Sequence, residues 1–398
     1  MPKTKIVIFI FLVFLSTLFT YPQNVPVQKE GIIPFALKDH IILVKGKIND
    51  GPEEYNFIVD TGGVTMLNDE TAAKLQLKRR GMQVKMNSLD IGNYRIDSIF
   101  CLASPDFFKK FESKIGVTIH GLIGSDLLDR FKVTIDYRQK ILVLANDTAV
   151  TGNPQKGFLF NFKNHPVNSA PMLKCKLNGR LEVEAMVDTG QPYSLVLPPD
   201  ILGKLELSEK RGWIKAKGNI YQWPLTTSRD NYLGRIDSFA IGDLKARNVL
   251  AFSAELPKML SAPLLGRDFL VSFVTIINYP KDEILFVPQP ISPTSLPTNE
   301  YSIGLHPHLN DDGKIVVSGI WTASPADKAG IGPGDEIVAL NGNPLASADL
   351  FELIAQLMNG GIKEVNLEIQ NSQGRRVFHL KKEKLLPEVK TPVRRSAS

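Results

Sequence analysis

Apolar and polar residues alternate in two similar stretches of the chain, and each stretch leads into a short apolar run that ends in Asp-Thr-Gly. In the first stretch, segment 42–48 is followed by turn-forming residues at 49–52 and then by Phe57-Ile58-Val59-Asp60-Thr61-Gly62. In the second, segment 172–177 is followed by Asn178-Gly179 and then by Ala185-Met186-Val187-Asp188-Thr189-Gly190. Alternation interrupted by turn residues predicts antiparallel hairpins. Each hairpin is therefore expected to carry an aspartate to a turn, where glycine tolerates unusual backbone geometry.

Segments further along the chain repeat in the same order. The matching pairs are 67–77 with 197–207, 88–92 with 238–242, and 122–128 with 264–270, and Phe131, Ile135 and Tyr137 correspond to Phe273, Ile277 and Tyr279. An ordered series of matches predicts a duplicated structural unit. We therefore expect a mainly β fold with two lobes in one chain.

The order of these segments resembles the lobe of retropepsin-like aspartic proteases. Each copy has an apolar run with Asp-Thr-Gly, a short helix, a strand ending in Ile-Gly, and two apolar residues before Gly-x-Asp. The resemblance covers roughly residues 33–290 and implies two fused acid-protease β-barrel lobes with Asp60 and Asp188 as the catalytic pair. Two carboxylates about 3 Å apart cannot both ionise cheaply, so such a pair shares one proton. The pair can then activate a water that attacks a peptide carbonyl.

The resemblance also assigns supporting roles to the residues that follow each aspartate. It implies that the hydroxyls of Thr61 and Thr189 form hydrogen bonds across the interface between the lobes. It further implies that Gly62 and Gly190 let the backbone pass closely behind the carboxylates. All four residues are therefore predicted to support the active site.

Two further features bear on the site: one departure from the family pattern, and a second pair of aspartates that could be mistaken for catalytic residues. The family commonly has Ala directly after Asp-Thr-Gly, whereas this chain has Gly63 and Gln191, which leaves both aspartates in place but changes the local geometry. Asp126 and Asp268, in the two Gly-x-Asp segments, are interpreted as structural residues at helix starts, where a carboxylate is favoured.

A third unit follows a proline-rich spacer at 288–297. Its segments Ser324-Pro325-Ala326, Pro333-Gly334-Asp335 and Asn341-Gly342, with a helix starting at Ser347, strongly resemble a bacterial-type PDZ domain. The resemblance implies a peptide-binding loop at Tyr301–Leu305, in which Ile303, Gly304 and Leu305 receive a peptide terminus while the peptide adds a strand. A groove that serves only in packing is the alternative.

The two lobes differ in the length of one segment. The distance along the chain from Asp188 to Ile241 exceeds that from Asp60 to Ile91, and the additional residues include several aromatics within 211–224. One hypothesis is that the second lobe carries a larger flap that closes over substrate. The alternative is a surface loop with packed aromatic residues.

The N-terminus indicates export. Lys3 and Lys5 precede the apolar run 6–19, which is shorter than the roughly 20 residues of a bilayer-spanning helix and is typical of a secretory signal. The exit through Thr20-Tyr21-Pro22-Gln23 lacks a small-residue cleavage site, so an uncleaved membrane anchor is the alternative. Both interpretations place the protein in the periplasm or outside the cell.

Charge and cysteine content narrow the set of partners. The net charge of +6 is concentrated at the two ends of the chain, so the body has no electrostatic footprint for nucleic acid. Cys101 and Cys175 do not occupy equivalent positions in the two lobes, and whether they pair in an oxidising compartment is left open. No Cys/His cluster has metal-ligand spacing, and we predict neither a metal nor another cofactor.

The sequence thus predicts five regions and one preferred function. The regions are a signal peptide (1–23), a first aspartic protease lobe (30–147), a second lobe (157–290), an α+β PDZ domain (299–384) and a basic tail (385–398). The preferred function is an exported aspartic endopeptidase whose PDZ domain selects or tethers polypeptide substrate. The alternatives are a non-catalytic peptide-binding protein and a periplasmic adaptor. Deleting residues 299–398 is expected to leave cleavage of an unstructured peptide intact in a protease.

Overall fold

The computed structural model describes residues 30–38, 40–105, 107–109, 112, 116–146, 157–220, 230–258, 261–289 and 296–387. Strands dominate these residues and form three sheets larger than a hairpin. The predicted signal peptide (1–23), the residues between the two predicted lobes (148–156), part of the spacer (290–295) and most of the tail (388–398) lie outside the described residues.

The first lobe contains eleven described strands and two helices. They are β1 (Glu30–Pro34), β2 (Ala36–Lys38), β3 (Ile41–Ile48), β4 (Tyr55–Asp60), β5 (Met66–Asn68), α1 (Asp69–Lys74), β6 (Lys78–Arg80), β7 (Gln83–Ile91), β8 (Tyr94–Ser104), β9 (Gly121–Gly124), α2 (Ser125–Leu128), β10 (Lys132–Asp136) and β11 (Ile141–Ala145). Strands β3, β4, β9, β5, β8 and β7 pair in that order, and β7 pairs back onto β3. The lobe is therefore a closed six-stranded barrel.

The second lobe repeats this arrangement. Its elements are β12 (Phe158–Asn161), β13 (Lys163–Asn164), β14 (Pro171–Leu177), β15 (Leu181–Val187), β16 (Leu195–Leu197), α3 (Pro199–Lys204), β17 (Ile214–Gly218), β18 (Tyr232–Ile241), β19 (Leu244–Ser253), β20 (Leu264–Leu265), α4 (Arg267–Leu270), β21 (Phe273–Asn278) and β22 (Glu283–Pro288). Strands β14, β15, β20, β16, β19 and β18 pair in order, and β18 closes onto β14. The two closed rings use corresponding segments of the repeat.

A separate six-stranded sheet joins the lobes. Its order is β1-β11-β10-β21-β22-β12, and the central contact is the antiparallel pair β10–β21, in which Ile135 lies opposite Thr275. Apolar residues of both lobes and of this sheet form one continuous core cluster. Because strands from both lobes pair through their backbones, the lobes share a single framework.

The C-terminal unit contains a small sheet and a groove-forming helix. Its elements are β23 (Tyr301–Ser302), β24 (Leu305–Leu309), β25 (Ile315–Trp321), α5 (Pro325–Lys328), β26 (Glu336–Leu340), β27 (Asn343–Pro344), α6 (Leu350–Met358), β28 (Glu364–Asn371), β29 (Gly374–Lys381) and β30 (Glu383–Lys384). The core face of α6 buries Leu350, Leu353 and Leu357, as the apolar spacing predicts.

This unit is docked on the lobes. Strand β17 of the second lobe pairs with β25, with Lys217 opposite Ile320. The Lys217 ammonium also lies 2.5 Å from the carboxylate of Asp327. On the other side, the ring of Phe351 on α6 lies beside Lys38 of the first lobe, with the ammonium nitrogen 5.1 Å from the ring centroid. The C-terminal unit therefore contacts both lobes, and its contact with the second lobe is the more extensive.

Residues 385–387, which the sequence analysis placed in the basic tail, belong to the packed structure. Leu386 is buried and forms hydrogen bonds with the side chain of Asn299, and the carbonyl of Pro387 accepts a hydrogen bond from Arg235. Apolar contact with the second lobe explains why the ordered chain extends past the predicted domain end.

The two cysteines lie in different lobes. Cys101 on β8 and Cys175 on β14 are both buried, and neither forms a disulfide. Burial in apolar surroundings raises the pKa of each thiol to about 12. The pairing that the sequence left open is therefore absent, and the two residues lie on barrel strands of different lobes.

None of the helices in the described ranges combines the length and apolarity that crossing a bilayer requires.

Candidate active site

The two Asp-Thr-Gly turns meet at the interface between the lobes. Asp60 ends β4 and Asp188 directly follows β15, and each side chain is only 3% exposed. A Cβ built on Gly62 would overlap the carboxyl carbon of Asp188, and one built on Gly190 would lie 2.7 Å from Oδ2 of Asp60. Each glycine thus stands against the carboxylate of the opposite lobe, and only a residue without a side chain fits there. The structure brings together both aspartates that the sequence predicted to be catalytic.

The strands behind the turns explain how the aspartates are placed. β9 runs parallel to β4, with Gly124 opposite Asp60, and β20 runs parallel to β15. A Cβ on Gly124 would lie 2.5 Å from the carbonyl oxygen of Gly63. A Cβ on Gly266 would likewise lie 2.6 Å from the carbonyl oxygen of Gln191, so each apolar-apolar-Gly segment needs its glycine because the chain passes directly behind the Asp-Thr-Gly turn.

The threonines bind the two turns to each other. The Thr61 hydroxyl donates to the carbonyl of Val187 at 2.8 Å and accepts from the backbone N–H of Thr189 at 3.1 Å. The Thr189 hydroxyl donates to the carbonyl of Val59 at 3.1 Å and accepts from the N–H of Thr61 at 3.0 Å. Both threonines are fully buried. These four hydrogen bonds cross the lobe interface in a reciprocal pattern and fix the separation of the turns.

Each carboxylate also accepts a hydrogen bond from its own turn. The N–H of Gly62 donates to Oδ1 of Asp60 and the N–H of Gly190 to Oδ1 of Asp188, both at 2.8 Å. These two bonds orient the carboxyls within their turns.

Burial dominates the electrostatics of the pair. Loss of solvation raises the pKa of Asp60, an increase that its hydrogen bond with Asp188 opposes. Burial, the negative charge of Asp60 and the hydrogen bond between the two carboxyls together raise the pKa of Asp188 well above its ordinary value. A pair in this environment holds one proton between its members and titrates as a unit.

Two supporting residues were not predicted from the sequence. The Ser125 hydroxyl donates to the carbonyl of Thr61 at 2.7 Å and lies 2.7 Å from the hydroxyl of Tyr279 in the other lobe. Asn168 donates from its side-chain amide to the carbonyl of Gly62 at 2.6 Å. The sequence repeat matches Tyr279 with Tyr137, but it does not indicate that Ser125 of the other lobe contacts Tyr279.

Asp126 and Asp268 occupy structural positions. Oδ1 of Asp126 accepts hydrogen bonds from both the backbone N–H and the hydroxyl of Thr65, each at 2.7 Å. Asp268 forms an ion pair with Arg267 at 2.9 Å. These contacts agree with the interpretation of both residues as structural.

The residues that depart from the family pattern preserve the turn. The N–H of Gly63 donates to the carbonyl of Asp60 at 3.1 Å, and the N–H of Gln191 donates to the carbonyl of Asp188 at 3.3 Å. A Cβ on Gly63 would lie 3.0 Å from Oδ2 of Asp60. Glycine at this position therefore leaves more room beside the carboxylate than alanine would.

The predicted peptide-binding loop lies at the start of β24. Ile303 and Leu305 are buried, and Gly304 adopts a positive φ of 77°. The N–H of Gly304 donates to the hydroxyl of Ser302 at 2.8 Å, so one of the expected donors already has an acceptor. Within the described residues β24 pairs only with β25, and its other edge runs along α6. A strand edge beside a helix is the geometry that accepts an added peptide strand.

The longer segment of the second lobe contacts the C-terminal unit. Trp213 is buried against Gly234 in the lobe core, which agrees with the alternative of packed aromatics at that position. Gly218 at the end of β17 lies opposite Gly319 of β25. Tyr221 and Trp223 lie outside the described residues, so the flap stays a prediction.

Over the described ranges there is no group of three or more His, Cys, Asp or Glu side chains arranged to hold a metal ion.

Comparison with known proteins agrees with this architecture. Residues 173–269 match the family model "Aspartyl protease", and residues 294–370 match the family model "PDZ domain". A segment of the second lobe is therefore similar to aspartyl proteases and the C-terminal unit is similar to PDZ domains, as the sequence predicted. The predicted fold class, mainly β with two barrel lobes and a PDZ domain, is confirmed.

The chain is also similar to a curated protease. The "Carboxy-terminal processing protease CtpB" of Bacillus subtilis (strain 168) is 37% identical over 60 residues, or 15% of this chain. The match spans 12% of the length of that relative. Together with the family match, this similarity supports a protease-like protein.

Proposed function

We propose that this protein is an aspartic endopeptidase that hydrolyses peptide bonds with a water activated by Asp60 and Asp188. The observation that carries the proposal is the reciprocal set of hydrogen bonds between Thr61 and Thr189, which holds two buried carboxyls against each other. A binding protein has no need to bury two carboxyls side by side, because their mutual repulsion and desolvation cost stability.

The proposed reaction uses the single proton of the pair. A water between the carboxyls gives a proton to the ionised member as its oxygen attacks the peptide carbonyl. The protonated member donates its proton to the carbonyl oxygen, so a neutral tetrahedral diol forms. Collapse of the diol returns a proton to the departing nitrogen and regenerates the shared proton. The N–H groups of Gly62 and Gly190 keep the carboxylates oriented throughout the cycle.

The raised pKa values of the pair determine the expected pH profile. Activity requires one proton on the pair, so activity is lost when acid adds a second proton and when base removes the first. Because burial raises the pKa of Asp188, the singly protonated state persists to higher pH than it would for an exposed aspartate.

The test is cleavage of a denatured protein mixture between about pH 3 and 8. Wild type should cut, and Asp60→Asn and Asp188→Asn should each abolish cleavage. Asp200→Asn is the matched control, because Asp200 lies on the surface in an ion pair with Lys204. Wild type that binds peptide but cuts at no pH would overturn the proposal in favour of the non-catalytic binding protein. Cleavage that survives in either dyad variant would refute the assignment of the site.

The PDZ domain is proposed to bind peptide termini through Ile303, Gly304 and Leu305. The support is the open edge of β24 beside α6 and the left-handed turn at Gly304. Calorimetric titration with one peptide bearing either a free C-terminal carboxylate or an amide should show binding of the carboxylate form alone. Equal affinity for the two forms would favour a groove that serves only in packing.

Export is proposed from the sequence of residues 1–23. Expression of the full chain in a bacterial host, followed by cell fractionation and N-terminal sequencing, distinguishes a cleaved signal from a retained anchor. Recovery of unprocessed protein from the soluble cytoplasmic fraction would refute both.

A further inference from the structure

A single tryptophan of the PDZ domain lies between the two candidate sites. Trp321, the last residue of β25, is fully buried in an apolar cluster that contains residues of both the second lobe and the C-terminal domain. The strand that carries it is paired with β17, and the N–H of Thr322 donates to the carbonyl of Lys215 at 3.0 Å. The PDZ domain is therefore attached to the second lobe at this tryptophan.

On one side, Trp321 contacts the predicted peptide-binding loop. Its backbone N–H donates to the carbonyl of Gly304 at 2.9 Å, in the middle of that loop. Its ring meets the ring of His306 on β24 edge-on, with centroids 6.3 Å apart. A peptide that adds to β24 and displaces this loop would move groups in direct contact with Trp321.

On the other side, Trp321 contacts the aromatic pair that supports the turn after Asp188. Its ring meets Phe252 at 5.8 Å and 76°, and Phe252 stacks on Tyr193 at 4.6 Å and 3°. Tyr193 lies five residues after Asp188 in the chain.

The segment that contains Tyr193 is held against the start of α4. The N–H of Arg267 donates to the carbonyl of Gln191 at 2.7 Å, and the N–H of Asp268 donates to that of Pro192 at 3.1 Å. Movement of the Tyr193 ring therefore acts on a segment that is continuous with the Asp188 turn.

The first lobe has a different residue at the same distance along the chain from its aspartate. Five residues after Asp60 stands Thr65, whose hydroxyl and N–H both donate to Asp126 within the same lobe. Five residues after Asp188 stands Tyr193, whose aromatic ring contacts Phe252 and, through it, another domain. The asymmetry gives the Asp188 turn a contact with the PDZ domain that the Asp60 turn lacks in this form.

We propose that Trp321 is a positioning residue that couples occupancy of the PDZ peptide site to the geometry of the Asp188 turn. The effector is a peptide with a free C-terminal carboxylate, and binding of that peptide changes turnover at the dyad. The inference rests on the proposed peptide binding by the PDZ domain, and its catalytic readout also rests on the proposed endopeptidase activity. Coupling of two sites is reciprocal, so an active-site ligand changes the PDZ affinity by the same factor.

The kinetic test uses a reporter peptide with both termini blocked, so that the reporter does not compete for the PDZ site. Cleavage is measured with and without a second peptide that ends in a free carboxylate, and with the amidated form of that peptide as control. For wild type we expect the carboxylate form to change kcat by about fivefold or more, the lower end of ordinary allosteric couplings. The amidated form should have no effect.

Variants test whether the coupling passes through the rings of Trp321, Phe252 and Tyr193. Trp321→Leu and Tyr193→Leu should each abolish the change in kcat, whereas Tyr193→Phe keeps the stacked ring and should retain it. Calorimetry must show that Trp321→Leu still binds the carboxylate peptide. If Trp321→Leu fails to fold, Tyr193→Leu decides, because Tyr193 is only partly buried. Coupling that survives in Tyr193→Leu would overturn the proposal.

The reciprocal test does not depend on turnover. A peptide that carries a hydroxyl-bearing carbon in place of the scissile carbonyl occupies the dyad without being cut. Its presence should shift the dissociation constant of the carboxylate peptide, and the carboxylate peptide should shift the dissociation constant of this analogue by the same factor. An inert protein with a shifted constant would refute the proposed endopeptidase and retain the coupling. An active protein with unchanged kcat and unchanged dissociation constant, or one that does not bind the carboxylate peptide, would refute the coupling.

Discussion

Replacing Thr61 with valine should weaken the attachment between the two Asp-Thr-Gly turns while preserving the shape of the side chain. The substitution removes the hydroxyl that donates to the carbonyl of Val187 and accepts from the N–H of Thr189. Both groups lie in the fully buried interface, so each is left with an unmet hydrogen-bonding requirement. An unsatisfied buried donor or acceptor costs about 1–3 kcal/mol, and burial of the new methyl group returns about 0.8 kcal/mol. We therefore expect a loss of about 1–5 kcal/mol in the free energy of unfolding.

The assay is urea denaturation followed by tryptophan fluorescence, with cleavage measured in parallel. Thr275→Val is the matched control, because Thr275 is also fully buried but its hydroxyl has no hydrogen-bond partner in the described part of the chain. The control should lie within about 1 kcal/mol of wild type, since replacing a hydroxyl that has no partner relieves rather than creates an unmet requirement.

The double variant tests whether the interaction is reciprocal. Thr61→Val and Thr189→Val each disrupt part of one interlocked network, so their combined effect should be smaller than the sum of the single effects by about 0.5–3 kcal/mol. Thr61→Ser keeps the hydroxyl and should retain most of the stability. A Thr61→Val protein as stable as the Thr275→Val control would refute the view that the reciprocal hydrogen bonds hold the site together.

Three further predictions concern groups around the dyad. Burial raises the pKa of Asp188 in the folded state, so the contribution of this carboxyl to stability is present at low pH and is lost as pH rises through that pKa. Asp188→Asn should therefore exceed wild type in Tm by a margin that grows from pH 4 to pH 8. A margin that does not change with pH would contradict this reasoning. Gly62→Ala places a methyl group against the Asp188 carboxyl and should abolish cleavage, whereas Gly203→Ala, in open space on α3, should raise stability by about 0.5–1 kcal/mol in the same thermal assay. Ser125→Ala removes two buried hydrogen bonds, one of them to Tyr279 of the other lobe, and should cost about 1–3 kcal/mol in urea titration; a neutral result would mean that this contact does not support the site.

The duplicated architecture and the meeting of the two aspartates could be predicted from local sequence. Each Asp-Thr-Gly stood after an apolar run and before matching segments, and these patterns are written in side chains that repeat in order. The start of α1 also follows from local sequence, because asparagine is a favoured N-cap residue and the side chain of Asn68 accepts from the N–H of Glu70 at 2.8 Å.

The docking of the PDZ domain could not be predicted in the same way. The pairing of β17 with β25 uses backbone N–H and C=O groups, which every residue carries, so no side-chain pattern marks it. No feature of the sequence distinguishes Trp321 from the other apolar residues of its strand. The proline-rich spacer suggested separation, yet Leu296 at its end is buried and the carbonyl of Pro297 accepts from the N–H of Leu250 at 2.7 Å.

This docking changes the meaning of one experiment. Deletion of residues 299–398 was expected to leave a protease active, but it would also remove Trp321 from the cluster around Phe252 and expose the edge of β17. Loss of cleavage in the deleted protein would therefore report damage to the second lobe as well as loss of the PDZ domain. Point substitutions at the dyad distinguish a protease from an adaptor more cleanly.

The pairing of β17 with β25 also has a consequence for synthesis of the chain. Gly218 and its partner Gly319 are about 100 residues apart, so the edge of β17 is made long before the strand that covers it. At roughly 5–20 residues per second, about 5–20 s pass between the synthesis of β17 and the synthesis of β25. An uncovered strand edge is a template for pairing with other chains. The nascent protein can therefore aggregate through this edge during the interval. Translation that stops before the PDZ domain would leave the edge of β17 uncovered.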